Sequence, residues 1–139
     1  MKKLLIDSNI AIDLLAQRDP FYDEASVLFS LADKSNLELY ISSLSFANTN
    51  YILAKASSAF LAREILKNFK LIVSILDLNE KLITLALNNK NFPDFEDGLQ
   101  YHTALENDLD IIITRDKKDF KNAEIPVMTA KEFLNIYPK

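Results

Sequence analysis

Several acidic residues in this chain stand where carboxylates do chemistry rather than decorate a surface. Asp7 closes the apolar run KLLID, Asp94, Glu96 and Asp97 crowd the segment NFPDFEDGLQ, and Asp116 and Asp119 follow three isoleucines in IIITRDKKDF. A β-branched run belongs in a buried strand. Asp7 and Asp116 are therefore expected at strand carboxyl ends, where open parallel sheets gather function. If strands 3–7 and 111–114 are neighbours, Asp7, Asp97 and Asp116 lie close together. Carboxylates crowded in this way repel unless cations fill the gap. The pattern points to a divalent metal site. Oxygen donors select Mg2+ or Mn2+, ions that activate water and stabilise a leaving oxygen in phosphodiester cleavage.

Each acid also fits an ordinary role. Asp7 suits the N-cap of a helix opening at Ser8, Asp94 and Asp97 have capping spacing, and Asp119 suits a turn. The sole histidine, His102, falls within a helical segment with no evident partner, and Gly98 is the sole glycine. Neither a Ser-His-Asp arrangement nor a phosphate-cradling glycine loop is arguable. The absence of cysteine excludes disulfides, thiolate chemistry and Cys-ligated zinc. Any metal must be held by oxygen.

The elements that position these residues follow from apolar periodicity. A strand at 3–7 leads to a helix at 8–17. A second helix starts at Asp19-Pro20, with Phe21, Ala25, Leu28, Phe29 and Ala32 inward, and ends near 34–36. LELYIS (37–42) reads as a strand, after which Ser42-Ser43 caps a helix whose inward stripe is Leu44, Ala47, Asn48, Tyr51 and Ile52. A helix at 58–69, an apolar run at 71–76 and a helix at 79–89 with Leu82, Ile83 and Ala86 inward come next. A loop and helix then carry the DFED segment, followed by strands at 111–114 and 125–128 and a closing helix in TAKEFLNIY. Strands separated by helices predict right-handed crossovers. The fold class is α/β, a three-layer α/β/α arrangement around a mainly parallel central sheet.

With 139 residues, 49% apolar and 26% charged, the chain reads as a single domain over 1–139. Its 16 basic and 20 acidic residues leave a net charge of −4, which is not that of a basic-patch nucleic-acid binder. Bound cations can nevertheless invert the local sign. Asp7 and Asp13 interrupt the apolar N-terminal stretch, no small-residue cleavage site follows, and no apolar run reaches the roughly 20 residues of a membrane span. A cytoplasmic protein without membrane contact is expected.

LLIDSNIAID, DFEDGLQYHTA and IIITRDKKDF, in that order over nearly the whole chain, together resemble a PIN domain, the metal-dependent ribonuclease fold that includes VapC-type toxins of toxin–antitoxin pairs. The resemblance implies that Asp7, Asp97 and Asp116 are catalytic metal-binding acids, with Glu96 and Asp119 as additional ligands. It also implies supporting roles for Ser8, Asn9 and Thr114, Asn9 buttressing the site by hydrogen bonding. Asn48 takes the place where the family usually carries a second acid. An amide oxygen still ligates a hard cation but brings no charge. Arg115, Lys117 and Lys118 flank the acids as candidate RNA-phosphate contacts. The implied cofactor is Mg2+ or Mn2+, and the implied partners are an RNA substrate, a small antitoxin and a second copy of the chain in a homodimer.

Two functions follow as expectations. One is an endoribonuclease; the alternative, motivated by Asn48, is a PIN module that binds RNA or a partner protein without cutting. A phosphoreceiver domain fits poorly, because it needs an acidic pair after its first strand and a lysine after its last, where this chain has Asp7 alone and Thr129. A haloacid-dehalogenase-type phosphatase needs a second aspartate two residues after the first, and Asn9 stands there.

Overall fold

The computed structural model describes residues 2–34 and 37–137. Its centre is a five-stranded sheet of β1 (Lys2–Ile6), β2 (Leu37–Ser42), β3 (Ser74–Leu76), β4 (Ile111–Ile113) and β5 (Val127–Met128). The strand order is β3-β2-β1-β4-β5 and every pairing is parallel. The expected α/β class with helices on both faces is what the chain adopts. A central strand of a parallel sheet is covered on both sides and must be apolar on both, and β1 and β4 are. Leu4 and Ile6 of β1, with Ile111 and Ile113 of β4, point into one core with Leu28, Phe29, Leu66, Phe69 and Phe133. Leu5 and Ile112 point the other way, against Phe92, Tyr101, Ala104 and Phe120.

The first core is covered by α1 (Ser8–Leu15), α2 (Tyr22–Lys34), α3 (Ser43–Ala56), α4 (Ala59–Phe69) and α7 (Ala130–Ile136). On the opposite face lies α6 (Phe95–Glu106), with α5 (Glu80–Asn88) packed against it. Side-chain caps set several helix starts: Asp7, Ser42, Ser58, Asn79 and Asp94 accept from the first-turn amides of α1, α3, α4, α5 and α6. Thr129 and Glu132 close a reciprocal capping box on α7. Asp94 thus takes the capping role open to it, and Asp7 caps α1 while keeping oxygen free for other contacts. No helix among the described residues is long and apolar enough to cross a membrane.

Three expectations are corrected. The inward stripe of α3 is Ser45, Thr49 and Leu53, whereas Ala47, Tyr51 and Ile52 are exposed and Leu44 and Asn48 are half-buried. The apolar residues misled because this helix buries the small polar side chains of Ser45 and Thr49 and leaves Tyr51 and Ile52 outside. In the run 71–76 only Ser74–Leu76 pairs in the sheet, at its edge, and Leu71 is 82% exposed. On α5, Leu82 and Ala86 are buried but Ile83 faces outward. The helix expected to end near 34–36 runs to Lys34, and residues 35 and 36 lie outside the described part.

Candidate functional site

Register brings the first and last acidic motifs together. The pairs Leu4–Ile111, Leu5–Ile112 and Ile6–Ile113 carry the chain ends forward in step, so Asp7 emerges beside Thr114 and its N–H donates to the Ile113 carbonyl at 3.0 Å. Its carboxylate accepts three hydrogen bonds: Oδ1 from the Ser8 N–H at 2.8 Å and Gln100 Nε2 at 3.1 Å, and Oδ2 from Thr114 Oγ1 at 2.8 Å. Thr114, fully buried, also accepts from the Asp116 N–H at 3.1 Å. One hydroxyl thus ties Asp7 to the turn that carries Asp116.

Asn9, the second residue of α1, holds that turn from the other side. Its Nδ2 donates to Asp116 Oδ2 at 3.2 Å and to Thr114 Oγ1 at 3.3 Å, and its Oδ1 accepts from the Arg115 N–H at 3.3 Å. The amide is bifunctional, and each end meets the partner type it needs. An aspartate here would set a second anion against Asp116.

A cleft of about 400 Å³ opens at this edge, lined by Asp7, Ser8, Asn9, Ser45, Asn48, Glu96, Asp97, Gln100, Arg18, Arg115 and Asp116, with Ile12, Leu44 and Ile52. Asn48 therefore faces the cleft rather than a core stripe. Asp119 is placed differently. It lies on the short 3-10 turn Lys117–Phe120 and lines a neighbouring cavity with Asp94, Asp97 and Lys118. Asp97 lines both cavities. Lys117 is paired with Glu132 at 2.8 Å, and two guanidinium nitrogens of Arg115 are committed to Asp13 at 2.7 and 3.2 Å.

Two neighbours of the candidate site escaped the sequence reading. Gln100 accepts from Ser42 Oγ at 2.7 Å and donates to Ser45 Oγ at 2.8 Å as well as to Asp7, which wires the end of β2 and the start of α3 to the end of β1. The available signal was its place three residues after Asp97, on the same helix face. Asp13 is 1% exposed and holds both Arg18 and Arg115. It stands four residues after Asn9, again one face of one helix. His102, by contrast, faces Asn89 at 3.0 Å, away from the acids, and burial pulls its pKa down.

The electrostatics are those of crowded, partly dehydrated acids. Burial raises the Asp7 pKa, opposed by its hydrogen bonds from Thr114, Gln100 and Ser8 and reinforced by the Asp116 charge. Asp97 is pushed up to about 7, first by burial and then by the charges of Asp94, Asp119, Asp7 and Glu96. Among the described residues, no three His, Asp or Glu side chains close around a single point; the acids ring a cleft. The donor set still fits a hard cation. It is all oxygen and anionic, its ionised form is penalised without a counter-charge, and Mg2+ keeps several waters rather than demanding a full protein cage.

A stability prediction follows from Asp97. An unfolded aspartate titrates near 3.8, so between about 4 and 7 the folded chain holds the proton more tightly and this group favours folding. That contribution is complete below the unfolded value and is lost as pH rises through 7. In chelator, the melting temperature is expected to fall between pH 5.5 and 8, and Asp97→Asn is expected to flatten the fall, as read by thermal unfolding across pH.

Comparison with known proteins agrees with this geometry. Residues 3–118 match the PIN domain family. The chain is 30% identical over 141 residues to ribonuclease VapC1 of Aquifex aeolicus (strain VF5), covering 95% of this chain and 93% of that one. Among solved structures, DNA-bound VapBC from Salmonella typhimurium superposes with a TM-score of 0.71 at 18% identity, over 94% of this chain and 99% of that one. A toxin–antitoxin complex from Klebsiella pneumoniae gives 0.68 at 24% identity, over 91% and 97%. With its acids delivered to one sheet edge by β1, β4 and α6, and with a family match spanning most of its length, this chain belongs to the PIN domain family.

Proposed function

We propose that this protein is a metal-dependent endoribonuclease that hydrolyses RNA phosphodiester bonds at the cleft of Asp7, Asp97 and Asp116. The observation that carries the reading is the Thr114 hydroxyl, which links the carboxylates' two supporting turns in a PIN-domain chain. The similarity to a VapC ribonuclease supports it. Asp7 and Asp116 would hold the cation, Asp97 and Glu96 would face it across the cleft, and Asn48 would add a neutral oxygen. Mg2+ or Mn2+ so bound supplies Lewis acidity toward the phosphodiester and its leaving oxygen. Gln100, Ser8 and Thr114 orient the Asp7 carboxylate by hydrogen bonding, and Asn9 orients that of Asp116. Asp97, a carboxylate lining the same cleft, would orient an attacking water and take its proton. Asp119, in the adjoining cavity, acts on Asp97 through charge. Lys118 and the exposed edge of Arg115 are placed for RNA phosphates, and Lys117 joins them only by leaving Glu132.

Likeness to the chain of a toxin–antitoxin complex supports a small antitoxin partner, and with it a toxin role in the cytoplasm as a homodimer. The test is incubation of purified protein with single-stranded and structured RNAs in Mg2+, Mn2+ or chelator, beside Asp116→Asn. Cutting that needs metal and is lost in the variant is expected. A protein that binds RNA but cuts none with either metal would make it a binding module instead.

Asn48→Asp tests the departure from the family pattern. A second ionised oxygen at this position is expected to tighten Mg2+ or Mn2+ binding by about tenfold, an energy of about 1.4 kcal/mol, measured by calorimetric titration. Unchanged affinity would remove Asn48 from the metal site.

A further inference from the structure

Asp13 is a buried carboxylate that the proposed chemistry leaves unused, and it carries two arginines. Arg18 places Nε at 3.1 Å and Nη2 at 3.0 Å from Asp13 Oδ1. Arg115 places Nη2 at 3.2 Å from the same oxygen and Nε at 2.7 Å from Oδ2. Both guanidinium groups thus share one oxygen, and in both it is Nη1 that stays outside the network. Arg115 is also backed by the Phe21 ring, 3.9 Å below its guanidinium carbon, a contact that fixes the plane of the group.

One arginine suffices to neutralise one carboxylate; the second leaves a surplus positive charge. That surplus is not lost into bulk solvent. Arg18 and Arg115 line the same cleft as Asp7, Asp97 and Asp116, with 42% and 27% of their side chains exposed. The cleft is therefore lined by both acids and two guanidinium groups. Holding two like charges together is unfavourable on its own, and Asp13 removes most of that cost before any ligand arrives. Guanidinium forks with ordered planes are suited to the oxygens of a phosphate diester.

We propose that Arg18 and Arg115, held side by side on Asp13, form a subsite for an RNA backbone phosphate next to the scissile one, with Asp13 as a positioning residue. This rests on the ribonuclease reading for the scissile bond, but not for phosphate binding itself. Arg115 reaches the cleft because α1 presents Asn9 and Asp13 on one face. Asn9 then sets the Arg115 backbone while Asp13 sets its side chain.

The test compares wild type, Arg18→Gln and, as a control, Arg63→Gln, an exposed arginine on α4 outside the cleft. Steady-state cleavage of a short single-stranded RNA is measured alongside its binding in chelator across salt. Arg18→Gln is expected to raise KM by about tenfold, the scale of a lost charged hydrogen bond, with kcat within about twofold. The slope of log affinity against log salt should shrink by about 0.7, one phosphate contact on a single strand. Arg63→Gln should change neither. Wild-type KM and slope in Arg18→Gln would overturn the subsite while leaving the nuclease standing, as would a fall in kcat and melting temperature without a change in slope. If wild type cuts nothing yet binds with an Arg18-dependent slope, the subsite stands and the nuclease reading fails. Absence of both cutting and binding overturns both.

Discussion

Asp7→Asn is expected to reduce RNA cleavage by at least about 100-fold, the scale of losing a positioned acid–base or metal-supporting group, while the metal-free protein melts no lower than the parent. These two effects usually travel together, because most substitutions near a core destabilise. Here they separate. Burial holds the Asp7 pKa up, so its ionised form is costly in the folded chain at neutral pH. Asparagine fills the same volume without the charge. Its carbonyl oxygen can keep the bonds from Ser8 and Gln100, and its Nδ2 can donate to Thr114 once that rotatable hydroxyl turns and releases its long 3.3 Å bond from Asn9. Cleavage assays with thermal unfolding in chelator check both halves. Retained activity would remove Asp7 from the mechanism; a large fall in melting temperature would mean its hydrogen bonds outweigh its burial.

The second large effect falls on stability. Asp13→Ala is expected to cost about 3 kcal/mol, the scale of leaving a buried charge without its partner. Asp13 is 1% exposed and ties α1 to the turn after β4 through Arg115, and to the loop before α2 through Arg18. Its removal leaves Arg115 over Phe21 without a counter-ion and opens space beside the cavity lined by Ile10, Phe21 and Ala130. Urea unfolding gives the difference directly. Asp13→Asn keeps the shape and some hydrogen bonding, so it should cost less. A loss below about 1 kcal/mol for Asp13→Ala, the range of an exposed ion pair, would show that Asp13 is a surface pair in energetic terms.

Much of this arrangement was legible in local order. The alternation of apolar runs and helical segments gives the parallel sheet, because a strand covered on both faces must be apolar on both, as the three isoleucines of β4 are. Strand ends then locate Asp7 and Asp116, and the capping spacing of Asp94 and Asp97 locates the start of α6. Each of these depends on residues near one another in the chain. The inward side of α3 did not follow in the same way, because burial there is decided by what the helix packs against. Ser45 goes inside since Ser42 and Gln100 meet it there, and Thr49 follows with its hydroxyl on the Ser45 carbonyl, leaving Tyr51 and Ile52 outside against ordinary preference.

What the sequence by itself determined, then, is the fold class, the strand ends and the acids they carry, since backbone pleat and helix periodicity are local properties. Tertiary structure alone decided which polar groups meet. Gln100 reaches Asp7 across 93 positions and Arg115 reaches Asp13 across 102, and Asp119 turns into a neighbouring cavity although it follows Asp116 by one turn. A hydrogen bond requires placement within a few tenths of an ångström. No periodicity carries that information; only the register of β1 against β4 and the packing of α1 and α6 over their ends supply it.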